Sequence, residues 1–345
     1  MKASIPLILS CLIIIQTYAY SLSDTQLDRY LKRYPKADTN QDGRLSQQEA
    51  RAHRNQNERP QRNNDPSTGD NLASVSEILG IDIPESTSPI LEVPLKSSDG
   101  VDLSFVYRKP EGNGPFKTIL FFHGGGGQSN RQALKKNLLN GAIQTRFLDE
   151  GYLTIAATRR PYWKTKDNSP SGFYDAADDA ALIVETAKAL SHVDPSKVVL
   201  YGGSGGGILA IVTASKTELA CVIAGEPATV IPLELMTGLE ASPADYRPIM
   251  EAPHEKFTGL RKAEIHGWMK TIQCPILVLQ GEPVGLYKTN FEILIPEMQS
   301  LGKDITSISY PGVTHGFYWG TVKTGATLKT VEQIMKDVTS FIDTH

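Results

Sequence analysis

The chain has 345 residues, 40% hydrophobic and 21% charged, which is the balance of a globular protein long enough for one large core and an appendage. Lys and Arg number 35 against 38 Asp and Glu, a formal net charge of −3, which leaves no electrostatic footprint for nucleic acid and no basic stripe for a membrane surface. Three cysteines are too few for a disulfide-stapled scaffold, so the fold must rest on its own core.

Residues 1–21 read as a secretory signal. Lys2 supplies the positive start, Ile5 to Ile15 the apolar centre, and Thr17 and Ala19, or Ala19 and Ser21, the small residues of a cleavage site. A secreted or otherwise extracytoplasmic protein is expected, with no membrane span after cleavage, because no other stretch is long and apolar enough. Cys221 and Cys274 then remain. Both fall in or beside apolar runs and read as buried thiols, with a single disulfide as the alternative.

The next segment, 22–52, opens with apolar Leu27, Tyr30, Leu31 and Tyr34 at helical spacing. It continues as Asp38-Thr39-Asn40-Gln41-Asp42-Gly43-Arg44-Leu45-Ser46-Gln47-Gln48-Glu49, which fills every position of the D-x-[DN]-x-[DN]-G-x5-E loop. Calcium requires oxygen ligands converging from a tight turn. Here they are the side chains of Asp38, Asn40 and Asp42, the carbonyl of Arg44, Ser46 directly or through water, and both oxygens of Glu49. The segment resembles an EF-hand. That resemblance implies a structural Ca2+ and an element able to dock a partner.

Residues 53–71 are polar and irregular, too poor in apolar side chains to fold alone, and read as a flexible linker. The main domain spans 72–345. Ile90 to Leu95 and Val101 to Arg108 read as a hairpin turning at Ser98-Asp99-Gly100, and Thr118 to Phe122 as a buried strand ending in His123-Gly124-Gly125-Gly126-Gly127. A helical region over 132–150, a strand over 152–156 and a helix over 177–190 follow. Then Lys197 to Tyr201, a short β-branched run, enters Gly202-Gly203-Ser204-Gly205-Gly206 before an apolar helical pattern resumes. This strand, sharp turn and helix is a nucleophile elbow, in which flanking glycines admit close backbone approach and leave the serine hydroxyl exposed.

Beyond it, strands are expected at 219–224 and 276–280, with a cap at about 230–270 inserted between them, since a simple crossover needs far fewer residues. A helix over 291–301, a strand over 306–310, a loop bearing His315 and a helix over 328–342 close the chain. Alternating strands and helices imply an α/β domain with a mostly parallel sheet covered on both faces.

Three motifs in this order, the His123-led glycines, the glycine-flanked Ser204 and His315-Gly316-Phe317, resemble the α/β-hydrolase superfamily over residues 85–345. The compact size and the His-Gly-Phe ending are similar to dienelactone-hydrolase-like and prolyl-oligopeptidase-like members. The resemblance implies Ser204 as nucleophile and His315 as its base, with an oxyanion site made of the N–H of Gly205 and one from Gly124, Gly125 or Gly126. It implies no cofactor for catalysis.

The third member of the triad departs from the family pattern, because the usual acid position after strand 276–280 holds Val284. Two carboxylates are available. Glu226, 22 residues after Ser204, leaves the preceding strand as in some lipases and glucuronoyl esterases and is the preferred candidate. Glu282, directly after Gly281, is the alternative. Arg159, Arg160, Tyr162, Trp163 and Trp319 stand where they could line a cleft. The expected activity is that of a secreted serine hydrolase cleaving carboxylic esters of small molecules or carbohydrates through an acyl-serine. A prolyl-oligopeptidase-type peptidase and a non-catalytic binding protein on the same scaffold are the alternatives.

Overall fold

The computed structural model describes residues 31, 36, 38–46, 49, 89–125, 131–160, 171–234, 247–282 and 285–345. The signal-like stretch 1–21, the linker 53–71, most of the helix expected before Asp38, and Gly126, Tyr162, Trp163 and Val284 lie outside the described residues. The chain divides into two compact units, Met1–Asn71 and Leu72–His345.

In the larger unit eight strands form one sheet: β1 (Leu91–Lys96), β2 (Asp102–Arg108), β3 (Phe116–Phe122), β4 (Leu153–Ala157), β5 (Val193–Gly203), β6 (Cys221–Gly225), β7 (Ile276–Gln280) and β8 (Ile305–Ser309). Their spatial order is β1-β2-β4-β3-β5-β6-β7-β8. β1 and β2 form an antiparallel hairpin, β2 meets β4 antiparallel, and every other pairing is parallel. The continuously apolar runs take the interior places: β4, β6 and β7 are buried at every residue, as parallel strands covered on both faces must be. β1 and β8 alternate with exposed residues and take the two edges.

Successive side chains along each strand feed opposite cores. Leu120, Leu200, Val222 and Ile276 join α3 (Ser171–Lys188), α4 (Gly205–Thr213) and α7 (Gly259–Thr271) on one face. Ile119, Val199, Tyr201, Ile223 and Leu277 join α2 (Ala142–Asp149) and α9 (Leu328–Thr344) on the other. Each fully buried Leu, Ile or Phe in these layers contributes about 1.5–3 kcal/mol relative to exposure. The carboxyl edge is therefore carried by a rigid base. α9 starts at a capping box, Thr327 and Thr330 each accepting the other's backbone N–H.

Several expected elements differ in detail. The helical region at 132–150 is two helices, α1 (Arg131–Asn140) and α2, because Gly141 adopts extended backbone between them. The helix expected from 177 begins six residues earlier at Ser171. The helix at 291–301 is a π-helical turn, Thr289–Leu294, running into α8 (Ile295–Ser300). The insertion between β6 and β7 carries α5 (Val230–Glu234), α6 (Arg247–Glu251), a 3-10 turn at Pro253–Glu255 and α7. Cys221 and Cys274 are both free and buried, and burial pushes the Cys221 thiol up and that of Cys274 to about 11. Among the described residues no helix is long and apolar enough to cross a membrane.

Candidate active site

The sheet register brings four chain segments to one level at the carboxyl edge. Gly202 pairs with Phe122, Gly203 with Gly225, and Gly225 with Leu279. The next residues out are therefore His123 after β3, Ser204 after β5, Glu226 after β6 and Gln280 at the end of β7. In parallel sheets this edge is where ligands bind, because the strand-to-helix loops open there.

Ser204 has φ +54°, a left-handed backbone uncommon for a residue with a side chain, and it caps α4. The turn is held from both sides, since the Ser204 N–H donates to the Gly225 carbonyl and the Ser204 carbonyl accepts from Ala228 at 2.9 Å. Strain of this kind persists only where the surroundings fix it, and here it lifts the hydroxyl off the sheet. The Gly205 N–H, in the first turn of α4, has no intrahelical acceptor and is available to a ligand.

Glu226 also has a positive φ, +41°. The bend turns its carboxylate under the loop that carries His315, where it is 2% exposed. His315 Nδ1 lies 2.7 Å from Oε2 of Glu226. The same carboxylate accepts from Gly316 N–H on Oε2, and from Gly281 N–H and the Gln280 side-chain amide on Oε1. The His315 loop is tied at both ends, Thr314 N–H to the Thr324 carbonyl and Phe317 N–H to that of Thr314. Glu282 does not reach the imidazole. Its carboxylate accepts the Gly312 N–H at 2.7 Å, and its own N–H donates to Val313. The structure thus brings Glu226, and not Glu282, to His315.

With Nδ1 held by the carboxylate, Nε2 of His315 is the ring position turned away from Glu226. It stands 3.5 Å from the Tyr318 hydroxyl, and that hydroxyl lies beside the Ser204 side chain. Burial, with a smaller contribution from the Glu226 charge, pushes the Tyr318 hydroxyl well above its ordinary range, so it stays protonated. The sequence reading missed Tyr318. Its signal was the paired Gly203 and Gly225: an added Cβ would fall 2.0 Å from the Tyr318 ring at the first and 2.2 Å at the second.

On the opposite side of Ser204, a Cβ on Gly124 would fall 3.3 Å from the serine Cβ, so this loop lies against the nucleophile's own residue. Arg159, 2% exposed, donates to the carbonyls of Gly125 at 2.7 Å and Gly124 at 3.4 Å and holds the loop. Burial, and then the Arg159 charge, lower His123 to about 4, and its Nδ1 lies 2.7 Å from the Gly124 carbonyl. His123 is therefore a neutral prop of the glycine turn near neutral pH. Arg160 is engaged elsewhere, donating to Asp99 and Asp179. Of the two arginines expected to line a cleft, Arg159 thus holds the glycine loop and Arg160 joins two aspartates. Trp319 is half-buried and packs against Phe121, Tyr201 and Tyr318. A cavity of about 600 Å³ opens at the other end of the strands, beside Ala220 and Pro275, away from these groups.

In the smaller unit, the described residues 38–46 and 49 turn their side-chain oxygens onto the segment's own N–H groups. Asp38 accepts from the N–H groups of Asp42 and Gly43, Asn40 and Asp42 accept from Asp42 and Arg44, and Gly43 has φ +79°. Leu45 is buried at 5% exposure. Glu49 closes the loop, accepting from Thr39, Asn40 and Ser46, and the Ser46 hydrogen bonds lower its carboxyl to about 2. Among the described residues no three His, Cys, Asp or Glu group as a metal site on their own. Asp38, Asn40, Asp42, Ser46, Glu49 and the Arg44 carbonyl are oxygen donors, the type a hard cation takes.

The BD-FAE family matches residues 105–225 and the prolyl oligopeptidase family residues 173–339. The quorum-quenching protein AidA of Acinetobacter baumannii is 30% identical over 143 residues, 40% of this chain and 44% of that protein. The chain thus spans less than half the length of that curated relative. Among solved structures, a bacterial heroin esterase gives a TM-score of 0.55 at 18% identity, covering 78% of this chain and 89% of that one. The esterase of Pyrobaculum calidifontis gives 0.52 at 18% identity, covering 78% and 87%. The acylaminoacyl peptidase of Pyrococcus horikoshii gives 0.50 at 14% identity, covering 72% of this chain but 40% of that one. The fold is the one these proteins share.

Proposed function

We propose that this α/β-hydrolase is a serine esterase acting on carboxylic esters of small molecules or carbohydrates through an acyl-Ser204 intermediate. The observation that carries the reading is the 2.7 Å contact between His315 Nδ1 and the buried Glu226 carboxylate, at the same sheet edge as a Ser204 held at φ +54°. A neutral serine hydroxyl is a poor nucleophile. In the proposed reaction His315 Nε2 takes its proton as Oγ attacks the ester carbonyl, and Glu226 stabilises the imidazolium that results. The oxyanion is received by the Gly205 N–H and one of the N–H groups of Gly124, Gly125 or Gly126, each donor contributing about 3 kcal/mol. The protonated His315 gives its proton to the leaving alkoxide, and then activates the water that releases the acid.

The match to the prolyl oligopeptidase family over 173–339 favours a second reading, a serine peptidase. Purified protein assayed with p-nitrophenyl acetate and with a prolyl-aminoacyl chromogenic peptide separates the two. Hydrolysis of the ester is expected; turnover of the peptide alone would overturn the esterase. A fluorophosphonate probe is expected to label Ser204, and failure to label folded protein would leave a binding protein on a hydrolase scaffold.

For the smaller unit the proposal is a structural Ca2+ bound by Asp38, Asn40, Asp42, the Arg44 carbonyl, Ser46 and Glu49, in a secreted protein that uses this segment to dock a partner. Glu49→Gln removes one carboxylate charge from the ligand set. Isothermal titration of the full chain is expected to show calcium affinity falling at least about tenfold; equal affinity in the variant would refute the site.

A further inference from the structure

Behind Glu226 runs a line of buried polar side chains that the triad chemistry does not account for. The Gln280 side-chain amide donates to Glu226 Oε1 at 3.1 Å. Asn290 donates to Gln280 Oε1 at 3.4 Å, and Thr229 donates to Asn290 Oδ1 at 2.7 Å. None of the three is more than 1% exposed. They come from three places: Thr229 from the turn after β6, Gln280 from the last residue of β7, and Asn290 from the π-helical turn. Burying hydroxyl and amide groups is costly unless each finds a partner, and here the partners are one another, with the line ending on the carboxylate.

The line can run in one direction only. An ionised carboxylate accepts and never donates, so Gln280 must present its NH2 to Glu226 and keep its oxygen for the next group. Asn290 must then present its own NH2 to that oxygen, which leaves its carbonyl for a donor. Thr229 supplies that donor. Reversing any amide would set two acceptors face to face inside the core. The order of the line is thus fixed by its end at Glu226, and each member in turn resists rotation of the next.

We propose that Thr229, Asn290 and Gln280 are positioning residues that hold the Glu226 carboxylate at the angle at which it meets His315. The inference rests on the serine-hydrolase reading of Ser204, His315 and Glu226. It also accounts for the departure at the usual acid position. β7 does not bring a carboxylate to the histidine; it brings the amide that orients a carboxylate from β6. The π-helical turn contributes by aiming Asn290 inward, as irregular helical turns at functional sites commonly do.

The test uses the full chain and three variants, with p-nitrophenyl acetate as substrate. Thr229→Val is nearly isosteric and removes only the donor. It is expected to lower kcat about three- to tenfold with KM within twofold, and Thr229→Ser, which keeps a hydroxyl, is expected to recover most of that loss. Asn290→Leu is expected to lower kcat at least about tenfold. In proton NMR the downfield resonance of the His315 Nδ1–H is expected to move upfield or broaden in Thr229→Val and Asn290→Leu. A merely structural role would lower thermal stability and leave that resonance and kcat in place, which would overturn the proposal even if Asn290→Leu failed to fold, since Thr229→Val reads the same line. Absence of fluorophosphonate labelling in the wild type would instead overturn the underlying serine-hydrolase reading.

Discussion

Glu226→Gln is expected to lower kcat by about 10³- to 10⁴-fold while Glu282→Gln stays within about threefold of wild type. The amide is isosteric, so the fold should survive and the loss should be chemical. Glu226 meets four donors: His315 Nδ1, the N–H groups of Gly281 and Gly316, and the Gln280 amide. A glutamine can face only some of them with its oxygen. If its NH2 turns toward His315, Nδ1 must become the acceptor and the ring's proton moves to Nε2, the position that has to take the proton of Ser204. If its NH2 turns the other way, it faces donors that have nothing to donate to. Either arrangement also removes the charge that stabilises the imidazolium. Glu282 has none of these contacts, only the N–H of Gly312. Stopped assays on the two variants, with circular dichroism to establish folding, decide the matter. Equal rates for Glu226→Gln and wild type would overturn the assignment.

The parts of this site that were legible in the sequence are those that backbone geometry forces on residue type. Ser204 was readable because its left-handed turn needs glycines on either side, and the strands were readable because β3, β5, β6 and β7 each contain an apolar run of strand length. His315 followed from its place after the last strand. The acid was ambiguous because both Glu226 and Glu282 leave the carboxyl ends of adjacent buried strands, and offset along the chain does not say which way a carboxylate turns. That depends on φ +41° at Glu226 and on donors from β7 and the His315 loop, which are neighbours only after folding. Tyr318, Asn290 and Thr229 were invisible for the same reason. An asparagine at 290 is one polar letter just ahead of the helical pattern expected from 291, until a π-helical turn beginning at Thr289 takes it inward. The partners of Arg159 and Arg160 were illegible because a positive charge after a strand end looks the same whether it meets substrate, a glycine carbonyl or Asp179.

Gly225→Ala is expected to be among the most damaging single changes in the domain, although it adds only one methyl. The new Cβ would lie 2.2, 2.5 and 2.7 Å from atoms of the Tyr318 ring, distances that real Cβ contacts do not reach, so the ring must move. It has nowhere to go: it is 1% exposed and packed edge-on against Phe317, Trp319 and His315, and its backbone carbonyl accepts the Tyr201 hydroxyl at 2.5 Å. Overpacking of this kind costs about 3 kcal/mol, or about 10 °C in Tm for a domain of this size. The displaced ring carries the Tyr318 hydroxyl away from Ser204 and pushes on the loop of His315, so kcat is expected to fall at least about hundredfold in whatever fraction folds. A double-mutant cycle isolates the cause. Removing the ring with Tyr318→Ala is itself costly, but Gly225→Ala should then cost much less than it does alone, because the atoms it strikes are gone. Tyr318→Phe keeps the ring and removes the hydroxyl, so it should leave the Gly225→Ala penalty intact while reporting what the hydroxyl contributes between Ser204 and His315. Strict additivity between Gly225→Ala and Tyr318→Ala would show that the glycine is needed for its backbone and not for the ring that lies on it.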